Sequence, residues 1–329
     1  MSTKTKPGKV IFNNDTAQKL MAFAALIALF IIFSLASPNF FKFDNIVSIV
    51  LATCVNGVLA LGITIVLLTG GIDLSIGTSL TFSAVIAGVC IVNLHLPVFV
   101  GILIGVGTGA LCGCINGIII SKMKLPAFIA TLGMQMVLKG LSLVISGTKP
   151  IYFNDVKVFR EIAMGSILGK IIPGFEIPNS VLIFAAVSII AGLIITKTIV
   201  GRYGCAIGSN EEATRLSGVN VDAWKIAIYS ICGVFSGLAG ILMASRLNSA
   251  QPALGAGYET EAIAAAVIGG TSMSGGEGTI MGTIIGAFII SVLTNGLRIL
   301  SVPQEWQTVV TGVIVIAAVY MDILRRRKK

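Results

Sequence analysis

Charge is what this chain lacks most. Only 11% of its 329 residues are Asp, Glu, Lys or Arg, where a soluble domain carries roughly a quarter. That excludes a pair of ordinary water-soluble domains. Histidine occurs once, as His95 beside Pro97 at a helix end, so no nucleophile–histidine–acid set can be assembled around it. The six cysteines (54, 90, 112, 114, 205 and 232) show no metal-ligand spacing. Cys112 and Cys114 would point in different directions on a helix, and most of the others sit in apolar runs, where cysteine acts as a small hydrophobe. Basic patches with interleaved aromatics are absent, which argues against nucleic acid as a partner. A phosphate-binding loop is missing as well: Gly165–Lys170 is one residue short and has no Ser or Thr after the lysine. No ATPase site of its own is expected, and no bound cofactor or metal.

Apolar residues fill the space instead, at 55% of the chain with a mean hydropathy of +0.98. This is the composition of an all-α polytopic membrane protein whose apolar faces meet lipid and one another. Residues 1–18 read as a polar, basic tail and 19–324 as the membrane domain. Spans are expected over 20–36, 46–68, 76–92, 98–120, 127–146, 181–196, 226–244, 262–271, 280–297 and 309–321, ten in all, some short or broken. The run Ser34-Leu35-Ala36 resembles a signal-peptide cleavage site, but the many spans that follow favour an uncleaved first helix. Residues 147–179 read as the main external loop, 201–225 as a charged cytoplasmic loop, 246–258 as external, and 325–329 as a basic tail. The formal charge of +9 gathers in the tails, at Lys122 and Lys124, and in 197–225. By the positive-inside rule this places both termini in the cytoplasm.

Two glycine-broken segments echo each other. LLTGGIDLSIGTSL around Asp73 and VIGGTSMSGGEGTIMG around Gly275 each run apolar, glycine pair, small-polar turn, apolar. Interrupted helices at matching places mark a transport path, which makes Gly70, Gly71, Asp73, Ser75, Gly269, Gly270 and Ser274 candidates for it. Close glycine-rich helix packing is the alternative. Asp73 reads as the carboxylate most apt to lie at membrane depth. It serves either as a helix cap or as the coupling carboxylate of an ion-driven symporter, although nearby spans offer it no partner. Gly101, Gly105, Gly109, Gly113 and Gly117 recur every four residues and form a ridge that another helix can approach closely.

The stretch 201–225 (GRYGCAIGSNEEATRLSGVNVDAWK) is the longest charged segment between apolar runs. Asn210 can cap a short helix, Glu211 and Glu212 lie at its positive end, Glu211 and Arg215 form an i,i+4 pair, and Gly218 can end it. Ala213 and Leu216 share an apolar face. So short a helix needs docking; otherwise the segment is an interfacial connector.

GGIDLSIG at 70–77, NEEATRLSG at 210–218 and SAQPALGAGYETEAIAAAVIGGTSMSGGEGT at 249–279 resemble the permease subunits of ribose-type ABC sugar importers. SPNFF at 37–41 and LPAFIATLGM at 125–134 extend the likeness, which covers nearly the whole chain except 154–178. The resemblance implies a homodimeric channel in the bacterial inner membrane for a monosaccharide, ribose foremost. It implies a cytoplasmic subunit that binds ATP and Mg, and a periplasmic or surface-anchored sugar-binding protein. It also implies that Glu211–Gly218 is the helix through which the permease engages its ATPase.

Overall fold

The computed structural model describes residues 14–172, 174 and 176–326. Of the two polar tails read from the sequence, 1–13 and 327–329 lie outside the described residues. Among the described residues the regular elements are helices, apart from one ribbon of two two-residue strands. Helix α1 (Asn14–Ala36) starts six residues ahead of its apolar stretch, Leu20–Ala36. Then come α2 (Phe43–Leu67), α3 (Ile76–Gly88) with a π-helical extension (Val89–Asn93), α4 (Val98–Ser121) and α5 (Ala127–Ser146). Proline sets several starts: Pro97, Pro126 and Pro178 each stand immediately before the first helical residue of α4, α5 and α8 (Asn179–Lys197). There its missing N–H costs nothing. The remaining long helices are α11 (Val221–Leu247), α13 (Ile280–Ile299) and α14 (Gln304–Arg326).

Among the described residues, seven helices are long and apolar enough to cross a membrane: α2, α3 with its π extension, α4, α5, α8, α11 and α13. Leu20–Ala36 is a shorter apolar stretch. Helix α2 is apolar on all sides and buried along most of its length, the pattern of a helix at the centre of a bundle. Helices α4, α5 and α8 instead turn large apolar side chains outward, among them Phe99, Leu103, Phe128, Met136 and Ile189. Such a surface is stable against hydrocarbon and not against water.

The glycine ridge of α4 is filled by backbone. A β-carbon at Gly109 would strike the carbonyl of Gly233, one at Gly113 the carbonyl of Tyr229, and one at Gly117 the Cα of Ile226, all on α11. Gly105 lies against Ser83 and Ala87 of α3, and Gly101 against Ile91. Helix α13 does the same to α12 (Tyr258–Ile268): Gly282 meets the carbonyl of Gly269, and Gly286 that of Ala265. Lipid gives helices no hydrophobic reason to associate, so contact area decides which faces meet.

The segment 147–179 is folded, not an open loop. Strand β1 (Ile151–Tyr152) pairs antiparallel with β2 (Ser249–Ala250), just beyond the end of α11. Helix α6 (Lys157–Met164) is pinned there by Ser245, whose hydroxyl donates to Phe159 O (2.6 Å) and accepts from Ala163 N (2.9 Å). Phe153 and Phe159 stack at 3.9 Å, both buried. A short helix, α7 (Ile167–Ile171), follows and is capped by Ser166. Mixed charge hid this order, because the apolar residues that bury it are few and scattered.

Candidate functional site

The charged segment 201–225 is an elbow of helices and not a loop. Helix α9 (Ile199–Ser209) ends at Asn210, whose extended backbone turns the chain directly into α10 (Glu211–Leu216). The Asn210 side chain accepts from Ala213 N at 2.9 Å, satisfying one otherwise free donor of the new helix. Gly218 stops it with φ +87°, a conformation that costs a β-branched residue dearly. The Glu211–Arg215 pair forms at 3.3 Å. Only Thr214 is buried; Ala213 and Leu216 both face outward, Leu216 being 83% exposed. The apolar face of α10 is therefore turned away from its own chain.

Asp222, in the first turn of α11 below the apolar stretch, ties the elbow down. It accepts from Arg215 (2.8 Å) and Lys124 (3.1 Å), with Lys122 at 3.8 Å, so α10 and the α4–α5 turn share one carboxylate. Lys225 bonds Glu211 at 2.6 Å. The Arg215 and Lys124 hydrogen bonds together hold the Asp222 carboxylate in place. Burial would push Glu211 upward, but Lys225 and Arg215 outweigh it and the carboxyl is lowered. Asp222 was not singled out from the sequence; the lysines it binds lie about a hundred residues away.

The first broken helix follows α2. Gly70 adopts φ +73°, residues 71–73 are irregular, and a turn at Leu74–Ser75 leads into α3. Asp73, 2% exposed, accepts from Ser75 N (2.8 Å), from the Ser75 hydroxyl (2.6 Å) and, more distantly, from Asn116 of α4 (3.5 Å). Asn116 also donates to Ser75 Oγ at 2.8 Å. Asp73 thus closes a turn onto the N-cap residue Ser75, whose hydroxyl bonds Asp73 and caps no backbone N–H. The expectation that neighbouring spans give Asp73 no partner is corrected by Asn116, a neutral donor hidden in the apolar run of α4. Thr131 of α5 and Tyr229 of α11 both donate to Ile72 O, each at 3.4 Å, and clamp the break from two more sides.

The second break follows α12. Gly270, Gly275 and Gly276 all take positive φ, and Ser272 N donates to Glu277 O at 2.9 Å. The two breaks touch. Gly276 N donates to Leu68 O at 2.9 Å, and Gly70 lies against the carbonyl of Ser274. Gly208, two residues before Asn210, is wedged between them; a β-carbon there would strike Leu68 O and Gly276 N. Of the path residues read from the sequence, Gly70 and Ser274 come together at this junction. Asp73 and Ser75 lie on the α4 side of it, and Gly269 packs on Gly282 of α13.

Helix α12 begins at Tyr258 and not at residue 262, so Glu259 and Glu261 ride on it. Glu259 is buried and accepts from Gln135 of α5 at 3.0 Å; Glu261 accepts from Asn56 of α2 at 2.7 Å. Asp73 is therefore not alone among buried carboxylates. Hydropathy missed the buried Glu259 and the half-buried Glu261 because the glutamates themselves interrupt the run.

An all-helical membrane bundle with two interrupted helices meeting beside an ion-paired elbow has the build of a permease. A family described as the permease component of branched-chain amino acid transport systems matches residues 45–319. The chain is 40% identical over 325 residues to the ribose import permease protein of Escherichia coli K12, covering 98% of this chain and 99% of that one. It is 42% identical over 315 residues to the ribose import permease protein of Bacillus subtilis 168, covering 95% of each. It is 35% identical over 289 residues to the fructose import permease protein of Rhizobium meliloti, covering 86% of this chain and 79% of that one. No solved structure matches the chain. The chain belongs to this family of import permeases and is a multi-pass protein of the bacterial inner membrane, a transport subunit and not itself a catalyst.

Proposed function

We propose that the chain is the membrane subunit of an ATP-driven importer of a monosaccharide, with ribose as the first candidate. The observation that carries this is near-full-length similarity to ribose import permeases from two distant bacteria, stronger than that to the fructose permease. In this reading two copies form the channel. ATP and Mg bind a separate cytoplasmic subunit, and a sugar-binding protein delivers the cargo from outside. Ten membrane crossings with both termini in the cytoplasm place the elbow inside and the β1–β2 ribbon outside. Helix α10 is the element that meets the ATPase, which the outward apolar face of Ala213 and Leu216 supports. The junction of the two breaks then lies on the route by which movement of α10 reaches the path. The permease performs no bond chemistry; it offers two arrangements of packed helices whose balance its partners bias.

The test is reconstitution with the ATPase and the binding protein. Ribose should stimulate ATP hydrolysis and enter the vesicle, with fructose and arabinose less effective. Uptake by the isolated chain that follows an ion gradient and ignores ATP would overturn the proposal in favour of a symporter using Asp73.

A further inference from the structure

Helix α5 carries a charge in an unusual place. Among the described residues of the seven long apolar helices, Lys139 is the only Asp, Glu, Lys or Arg more than six residues from either helix end. It stands twelve residues beyond Ala127 and seven before Ser146, which at 1.5 Å per residue is ~18 Å and ~10 Å from those ends. Its side chain is exposed. An ammonium at such depth is not stable against hydrocarbon, and residues of this kind face protein or a water-filled space. None of the described residues covers Lys139, so its cover lies outside them.

Lys139 is also the last residue of a polar stripe. Thr131, Gln135 and Lys139 follow one another at four-residue spacing along one edge of α5. Thr131 donates to the carbonyl of Ile72 in the first break (3.4 Å), and Gln135 donates to Glu259 of α12 (3.0 Å). The stripe leads from the broken helix, past a buried carboxylate, to an uncovered ammonium. Beside it the apolar flank with Met136 and Val137 continues outward.

We propose that Gln135 and Lys139, backed by the buried Glu259, form a sugar-contacting wall of the translocation path, closed on its open side by a second copy of the chain. The assignment rests on the importer reading above and adds to it the residues that touch cargo. Its chemistry suits a neutral polyol. The amide accepts and donates and the ammonium donates, so sugar hydroxyls can exchange one for one with water, while Glu259 holds the amide from behind. A fixed positive charge also repels cations, which keeps a path that passes a sugar from leaking ions.

The experiment uses the reconstituted complex with permease, ATPase and binding protein, in a background where the partly exposed Cys114 and Cys205 are serine. Lys139→Cys should react with a charged, membrane-impermeant methanethiosulfonate reagent, and the reaction should block ribose uptake. Lys139→Met, an apolar replacement that eases insertion, should keep the wild-type membrane level and lower uptake roughly tenfold, the loss of one charge-assisted hydrogen bond. Lys139→Arg should restore part of it. The proposal is overturned if Lys139→Cys in the membrane-inserted fraction reacts only with a lipophilic maleimide, which would place the side chain in lipid. It is equally overturned if Lys139→Met transports at the wild-type rate. If the wild-type complex itself takes up no sugar, the importer reading fails and this wall with it. Wild-type uptake with an unreactive Lys139→Cys rejects the wall alone.

Discussion

At the scale of single residues, Asp73 shows how much a buried side chain does by accepting hydrogen bonds. Its Oδ1 gathers the N–H and hydroxyl of Ser75 and faces the amide of Asn116. Asparagine presents the same acceptor, so Asp73→Asn should keep most transport. Asp73→Leu leaves those donors unmatched in a buried place, at about 1–3 kcal/mol for each, and should impair both membrane level and uptake. The measurement is uptake normalised to permease in the membrane. Equal and complete loss in both variants, with normal insertion, would mean that the charge and not the acceptor matters. From the sequence, the turn itself was legible, because two glycines followed by Ile-Asp-Leu-Ser can hardly continue a helix. The partner was not. Asn116 lies in a run of Gly, Cys and Ile whose hydropathy drowns a single amide, and its meeting with Ser75 depends on how α3 and α4 cross. Glu259 was obscured in the opposite way, since its own charge made the start of α12 read as loop.

Individual elements divide into those specified by local chemistry and those specified by contact. Helix α10 is of the first kind: Asn210 starts it and Gly218 ends it, and both signals stand in the sequence. Gly218→Val forces a β-branched residue to φ +87°, at about 1–3 kcal/mol. The change lies away from the bundle, with open space around the glycine, so the permease should insert normally while sugar no longer stimulates ATP hydrolysis. Wild-type stimulation in the reconstituted complex would return α10 to a plain connector. The anchoring of the elbow is of the second kind. Asp222 collects cations from α10 and from the α4–α5 turn, and no local pattern announces a meeting of three segments. The α4–α11 pair lies between the two kinds. The ridge is plain as glycine every fourth residue, while the helix that fills it is not. Gly109→Leu would drive these helices apart, at about 1–3 kcal/mol or more, and should lower the amount of folded permease without changing which sugar is carried. Full expression with altered sugar preference would instead place Gly109 on the path.

For the whole molecule, the apolar runs were legible because hydrocarbon-facing helices need length and hydropathy and little else. The folded cap formed by 147–179 was not, because its order depends on Ser245 and on the strand at Ser249–Ala250, far along the chain. The elbow end gathers Lys122, Lys124, Arg202, Arg215 and Lys225, and the cap lies at the opposite end of α11. By the positive-inside rule we propose that the cap lies outside the cell. A single cysteine at Asn154 should react with an impermeant thiol reagent in intact cells, and one at Glu212 only after the membrane is opened. Labelling of position 154 solely from within would invert the orientation.

The contact of Leu68, Gly208 and Gly276 joins three distant parts of the chain through main-chain atoms alone. Side chains absorb small displacements by rotating; bare backbone has no such play. In the proposed importer a movement of the elbow would therefore reach both interrupted helices together. If the interrupted helices serve as gates in the proposed importer, two gates would have four combinations, and such linkage would leave only the two in which they change in phase. A pump that never has one gate lagging behind the other spends no cycle on a half-switched state.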